Sequence, residues 1–174
     1  FLDREKLAAK PVDELSRLYK LVSQLVGYHD GKVELPKLRA KVEQLTAALK
    51  QAEQAKPTGD KNADKKAAQA LRKTQNDLKD AGEAAGELEA KLAQVEGDPK
   101  LAKLAAEHSR IGSAVLEETA KLHQGDAENL GLWREFMPAC LTTLEETYVR
   151  LSVTFDVTLG ESFYHDQLAP VVED

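Results

Sequence analysis

Apolar residues recur along this chain at helical spacing, and the places where that spacing fails divide it into segments. Val12, Leu15, Leu18, Tyr19, Val22, Leu25 and Val26 fall at three- and four-residue steps, which predicts a helix with one apolar stripe. Pro11 suits its first turn, where a missing N–H has no partner to lose, and Asp13 and Glu14 suit its positive end. Gly27 to Gly31 (Gly-Tyr-His-Asp-Gly) predicts a stop and a turn. The clearest pattern follows. Leu35, Leu38, Val42, Leu45, Leu49 and Ala52 alternate steps of three and four, the a/d seam of a coiled coil. Lys56 to Asp64 breaks the helix with proline and glycine, and the seam resumes at Leu71, Thr74, Leu78, Ala81, Ala85, Leu88, Leu92 and Val95. Two seams around a short breaker predict an antiparallel helical hairpin with arms of about 30 Å. The second arm is alanine-rich and carries Gly82 and Gly86. Each glycine costs a helix about 1 kcal/mol relative to alanine, so this arm is expected to be the looser.

Gly97-Asp98-Pro99 punctuates again, with Asp98 placed to cap a new helix and Pro99 in its first turn. Leu101, Leu104, His108, Ile111, Val115 and Leu122 form one stripe of that helix. Gly125 reads as a C-terminal stop and Asp126 as the cap of the next helix. That helix presents Leu130, Trp133, Met137, Leu141, Leu144, Tyr148 and Leu151, the richest apolar face in the chain. The period then changes. Val153, Phe155, Val157 and Leu159 alternate with Thr154, Asp156 and Thr158, a β-strand pattern. A single strand cannot satisfy its own backbone groups, so its partner must come from another molecule, an unseen local hairpin or a missing remainder.

Composition narrows the class. The 174 residues suggest one domain, or one compact piece plus an appendage. No apolar run approaches the ~18–20 residues of a membrane-spanning helix, and the charged start Phe-Leu-Asp-Arg-Glu-Lys does not fit a secretory signal. The lone cysteine, Cys140, excludes an internal disulfide or a cysteine-based zinc site and fits a reducing, cytoplasmic setting. Met137 is the single methionine, so the chain is expected to be a piece of something longer. The net charge of −6 excludes a protein wholly devoted to coating nucleic acid. It is unevenly spread, however. Residues 1–34 carry six basic and six acidic side chains, residues 35–79 eleven and five, and residues 80–174 seven and nineteen. A basic middle inside an acidic chain requires an explanation.

Candidate chemistry is sparse. His29, His108, His123 and His165 are scattered without metal-ligand spacing. His108, on an apolar stripe, predicts a hydrogen-bonded packing role, and His123 lies in a last helical turn, where a cation is favoured. Cys140 reads as a small buried residue. Ser162 in Gly-Glu-Ser-Phe-Tyr lacks the second glycine of a nucleophile elbow, and no phosphate-cradling glycine loop occurs. Lys56, Lys61, Lys65, Lys66, Arg72 and Lys73 cluster near the expected hairpin tip, either as a solvated surface or as an electrostatic finger for a phosphate backbone. No aromatic residue lies between Tyr28 and Trp133, which excludes base stacking there and leaves sequence-blind backbone contact.

The last fifty residues resemble one family. Lys121-Leu-His-Gln-Gly-Asp126, Leu132-Trp133-Arg134-Glu135-Phe136, Tyr148-Val-Arg150-Leu151-Ser-Val153, Phe155-Asp156 and Gly160-Glu161-Ser162-Phe163-Tyr164 match arginyl-tRNA synthetase in order and spacing. The matching stretch lies in that family's class I catalytic domain, between its two signature motifs. The opening, from Asp13-Glu14-Leu15 through Leu18-Tyr19-Lys20-Leu21-Val22, is similar to a second segment of the same domain. Ser152 stands where the family has glycine, and His165 where asparagine follows the tyrosine. The block from about 33 to 98 resembles a lineage insertion.

Periodicity predicts a fold that is mainly α, a helical segment with a long antiparallel coiled-coil hairpin and one C-terminal β-strand, and the resemblance implies that it is excised from a Rossmann-type class I catalytic domain. The expected divisions are an N-terminal helix and turn (1–32), the hairpin insertion (33–98), and two helices, strand and Gly-Glu-Ser-Phe-Tyr loop (99–174). The resemblance implies a parent arginine–tRNA ligase whose substrates are ATP, arginine and tRNA(Arg). Both ATP signatures are absent here, so no catalytic, cofactor or metal residue carries over, and the isolated segment is expected to be inactive. Trp133, Tyr148, Arg150, Gly160, Glu161, Ser162 and Tyr164 carry over as a family signature, and Lys61, Lys65, Lys66, Arg72 and Lys73 are the candidate tRNA contacts. The other reading is a free-standing coiled-coil module that dimerises or docks a partner.

Overall fold

A computed structural model of the chain describes residues 1–54 and 60–164. Six α-helices account for most of them: α1 (Arg4–Ala9), α2 (Pro11–Gln54), α3 (Lys61–Gly97), α4 (Pro99–Glu107), α5 (Ile111–His123) and α6 (Ala127–Arg150). A 3₁₀ turn at Glu161–Tyr164 follows. The starts obey local chemistry. Asp60, Asp98 and Asp126 each accept hydrogen bonds from the first-turn N–H groups of α3, α4 and α6, satisfying donors that have no helical partner. Pro99 occupies the first turn of α4, as its fixed φ favours.

The two long helices dominate. At about 1.5 Å per residue, α2 and α3 run about 66 and 55 Å. They lie antiparallel, since Lys32 meets Glu96 while Arg39, further along α2, meets Glu89, earlier in α3. Leu35, Ala85 and Leu92 are buried between them, flanked by Tyr28, Leu38 and Leu88. Val42, Leu45, Leu49, Leu71, Thr74 and Leu78 continue the contact as half-buried residues, whereas Ala52 is exposed. The main core lies at the base of this pair, where Leu25, Val95, Ala105 and Ile111 bury one another against Leu21, Val22, Val26, Leu101 and Leu104. Thus α4 and α5 fold onto the first half of α2. Asn129 of α6 donates to the Glu118 carboxylate of α5, and Arg4 of α1 pairs with Glu135 of α6.

Three expectations are corrected. The stop at Gly27–Gly31 does not occur; α2 runs through it, and through Pro36. Two glycines and a proline oppose a helix by about 5 kcal/mol in intrinsic propensity, and packing overrides them. Gly31 is buried and marks a close approach, because a Cβ there would stand 2.9 Å from Leu88 Cδ1 and 3.1 Å from Leu92 Cδ2. Second, the stripe from Leu101 to Leu122 belongs to two helices, broken at residues 108–110. His108 is therefore exposed at the end of α4; its N–H donates to the Leu104 carbonyl and its ring lies 4.6 Å from that of Phe1. Third, the segment holding Val153, Phe155, Val157 and Leu159 is irregular and exposed, and no strand occurs among the described residues. Alternation supplies a strand's faces but no ladder partner, and the described chain provides none.

Candidate functional site

Two surfaces stand out, one charged and one apolar. The charged one is the first half of α3. Lys61, Lys65, Lys66, Arg72 and Lys73 are all exposed there, and none forms an ion pair among the described residues. At about 100° per residue, Lys61, Lys65 and Arg72 fall within about 40° of one another, and Lys66 and Lys73 lie about 100° further round. Leu71, Thr74 and Leu78, which face α2, occupy the opposite side. The structure thus gathers all five predicted contacts on one solvent face; Lys56 and residues 57–59 of the tip lie outside the described residues. The second half of α3 is acidic, with Asp77, Asp80, Glu83, Glu87, Glu89 and Glu96 against Lys79 and Lys91. Net positive charge on α3 is confined to its tip half.

The apolar surface is α6 with the segment after it. No residue of α6 is buried. Trp133, Leu141 and Leu144 are exposed, and so are Leu151, Val153, Phe155, Val157 and Leu159. Of the signature residues, Trp133, Tyr148 and Arg150 lie on α6, Arg150 in the last turn where the helix end favours a cation. Gly160 precedes the 3₁₀ turn that contains Glu161, Ser162 and the exposed Tyr164. The structure joins one of these residues to the tail, since the Tyr148 ring meets Phe155 edge-on at 4.9 Å. His165 lies outside the described residues.

The turn that makes this contact places Ser152 in a backbone conformation that favours glycine. The Ser152 N–H donates to the Val149 carbonyl and the Val153 N–H to the Tyr148 carbonyl, both at 3.0 Å. This is a Schellman end, and Ser152 takes the left-handed φ of +56° that it requires. At the end of α5 the same pair of bonds, Gly125 to Leu122 and Asp126 to Lys121, is made with glycine at φ +83°. Glycine pays no Cβ penalty there; serine does.

Sequence reasoning missed the ion cluster at the start of α2. Glu14 is buried at 2% exposure and accepts from Arg17 Nε at 2.7 Å, Arg17 Nη2 at 2.6 Å and the Asp3 N–H at 2.9 Å. The Arg17 guanidinium, helped by the Asp3 N–H, holds the Glu14 carboxyl down at about 2 and raises Arg17 in turn. Arg17 also donates to the Phe1 carbonyl, so the cluster ties the first residues to α2. The three-residue spacing of Glu14 and Arg17 was visible in the sequence, but nothing local signalled burial. On α5, the hydrogen bond from Lys121, and then that from Asn129, lower Glu118, and Glu118 raises Lys121. The ring of Tyr28 lies under Lys32, and its hydroxyl bond, ahead of Glu96, raises that lysine.

Two small hollows lie along α2. A hollow of about 240 Å³ borders the Glu14–Arg17 cluster, and one of about 180 Å³ is lined by Ser23, Gln24, Gly27, Tyr28, Lys91, Gln94 and Val95. Both fall below the roughly 300 Å³ at which ligand pockets begin, and in the first the cations Lys6, Lys10 and Arg17 are set against the carboxylates of Asp13 and Glu14. Cys140 is only half-buried, not buried as expected, because α6 buries none of its residues, and among the described residues no three His, Cys, Asp or Glu side chains group as metal ligands. No described helix is long and apolar enough to cross a membrane.

Similarity to known proteins decides the relationship. The arginine–tRNA ligase of Rhodopirellula baltica is 44% identical over 99% of this chain. The chain is homologous to arginyl-tRNA synthetases. The ligases of Fusobacterium nucleatum and Lactococcus lactis agree, at 38% and 39% identity over 47% and 40% of the chain. The chain spans 27% of the length of the Rhodopirellula synthetase and 12% of the other two. No protein-family profile matches it, and no solved structure does.

Proposed function

We propose that this chain is an internal part of an arginyl-tRNA synthetase, joining elements of its Rossmann-type class I catalytic domain. The parent uses ATP to activate arginine and attaches it to tRNA(Arg) in the cytoplasm; the segment alone, which lacks the ATP signatures, is inert. The observation that carries the reading is the near-complete match to a synthetase, which leaves the free-standing interaction module without support. Residues 33–98 are the inserted element, an antiparallel coiled coil whose first helix is continuous with the helix before it. Residues 1–32 and 99–174 belong to the catalytic domain proper. The Rhodopirellula match covers almost the whole chain, so it extends through residues 33–98, which supports placing them within a synthetase.

The unburied face of α6 supports this reading. A 24-residue helix with no buried residue has not found its partner. On this reading the remaining three quarters of the synthetase covers Trp133, Leu141 and Leu144 and pairs with the alternating segment from Val153 to Leu159, turning it into a strand. Trp133 and Tyr148 then pack the α6 face, and Arg150 and the Gly160–Tyr164 turn, with Glu161 and Ser162, sit at the junction. Lys61, Lys65, Lys66, Arg72 and Lys73 are the side of the insertion that tRNA touches. The test is direct. The whole gene product should charge tRNA(Arg) with arginine when given ATP, and the 174-residue chain should not. Trp133, the sole tryptophan, should report the docking, its emission shifting to the blue in the whole protein relative to the chain alone. A whole protein without arginylation would refute the proposal.

A further inference from the structure

The geometry of α3 points to a more specific partner for its basic face, and the inference rests on the synthetase reading above. We propose that the tip of the α2–α3 pair is a rigid finger that grips the phosphate backbone of double-helical RNA, the stem of a tRNA, without reading its sequence. Three observations on the helix combine. Five exposed cations lie on the side facing away from α2, and no ion pair among the described residues neutralises them. They form two rows about 100° apart around the helix, spread over about 18 Å of its length. Two rows can meet the two strands that border a groove, as phosphate-directed contacts to duplex RNA require.

The alternatives fit less well. A single strand is held by stacking its bases on aromatic rings, and the chain has no aromatic residue from 29 to 132. An acidic protein surface would meet the cations equally, yet the homologues are enzymes named for a tRNA substrate. The acidic half of α3, with six carboxylates against two lysines between residues 77 and 96, repels a polyanion. Contact is therefore restricted to the tip. Measured along α3 from Leu92, where the pair is firmly packed, the cations stand about 28 to 46 Å out. The finger thus grips its duplex tens of ångströms from the helices that join the catalytic domain, and it acts on tRNA capture, not on the chemical step.

The experiment uses the whole synthetase and a variant carrying Lys61→Gln, Lys65→Gln, Lys66→Gln, Arg72→Gln and Lys73→Gln. Glutamine matches lysine and arginine in helix propensity, so the finger should remain folded, which circular dichroism checks. The KM for tRNA should rise about tenfold or more near 0.1 M salt with kcat unchanged. The log–log dependence of tRNA affinity on salt should flatten by about 4, the counterions of five phosphates. A duplex of about 20 base pairs and arbitrary sequence should compete with tRNA against the wild type, and a single strand of the same length should compete poorly. Lys91→Gln with Lys103→Gln, two cations away from the tip, should leave KM unmoved. Unchanged KM and salt slope in the five-site variant, or equal competition by the single strand, overturns the finger while leaving the synthetase reading intact. If the wild-type protein charges no tRNA, that reading falls. Fluorescence anisotropy of the duplex on the wild-type and five-site proteins then judges the finger alone: equal binding overturns it and a tenfold loss supports it.

Discussion

The α2–α3 pair and α6 carry the same kind of signal, an apolar stripe at helical spacing, and end in opposite conditions. In the pair the stripe is consumed. Leu25 is fully buried, Val95 nearly so, and Leu35, Ala85 and Leu92 close the contact between the two helices. On α6 the stripe is richer, with a tryptophan, a methionine and a tyrosine, yet nothing there is buried. The difference lies in partners. An apolar stripe states that a helix needs cover; it does not state whether the same chain supplies it. The pair finds its cover about 60 residues away in the same sequence, whereas the α6 face and the alternating segment beyond it are left uncovered by the described residues.

That contrast is sharpest under truncation of apolar side chains. Leu25→Ala should cost about 2–5 kcal/mol in urea unfolding of the 174-residue chain, through lost burial and a residual cavity. Leu144→Ala on α6 should cost less than about 0.5 kcal/mol in the same assay. A large loss at Leu144 in the isolated chain would erase the comparison.

Acid should separate the regions next, because the buried carboxylate lies at the start of α2. Glu14 is near its ordinary 4.5 when unfolded and about 2 when folded, so the unfolded chain binds its proton first. The contribution is whole above about 4.5 and disappears as pH falls toward about 2. Glu14→Gln should flatten that limb of the stability–pH curve while leaving its shape above pH 6 unchanged. An unaltered acid limb would show that the carboxylate does not set it.

Glycines test the pair from inside. Gly82 and Gly86 have open space where a Cβ would sit, so alanine at each should stabilise by about 1 kcal/mol. Gly31→Leu should instead force α2 and α3 apart and lower the melting temperature, since even a Cβ there would crowd Leu88 and Leu92. The smallest effect belongs to the helix ends. Ser152→Gly should stabilise by about 0.5–1 kcal/mol and Gly125→Ala should destabilise by about 1 kcal/mol, both read from thermal unfolding. Equal responses at the two ends would contradict the left-handed backbone assigned to them.

Much of the local structure was legible. Pro11, Asp98 with Pro99, and Gly125 with Asp126 marked helix boundaries because capping is chemistry between residues two to five apart. The seam positions from Leu71 to Val95 were all found at least half-buried for the same local reason. The basic face was legible too, because Lys61, Lys65, Lys66, Arg72 and Lys73 lie within four turns of one helix. The misread places depend on distant residues. Gly31 looks like a turn until Leu88 and Leu92 press against it, and Glu14 looks like an exposed first-turn acid until Arg17 and the Asp3 N–H enclose it. The break at residues 108–110 carries neither proline nor glycine, so its cause is not written in the local pattern.

By itself, then, the sequence determined where helices begin, which side of each is apolar, and where positive charge collects, because these are set by neighbours along the backbone. Tertiary structure alone decided that α2 runs unbroken past two glycines and a proline, that one carboxylate is buried with its guanidinium, and that one apolar face is covered and another left open. Those outcomes are set by which distant surfaces meet, and burial is worth more than the few kcal/mol of local preference it overrides.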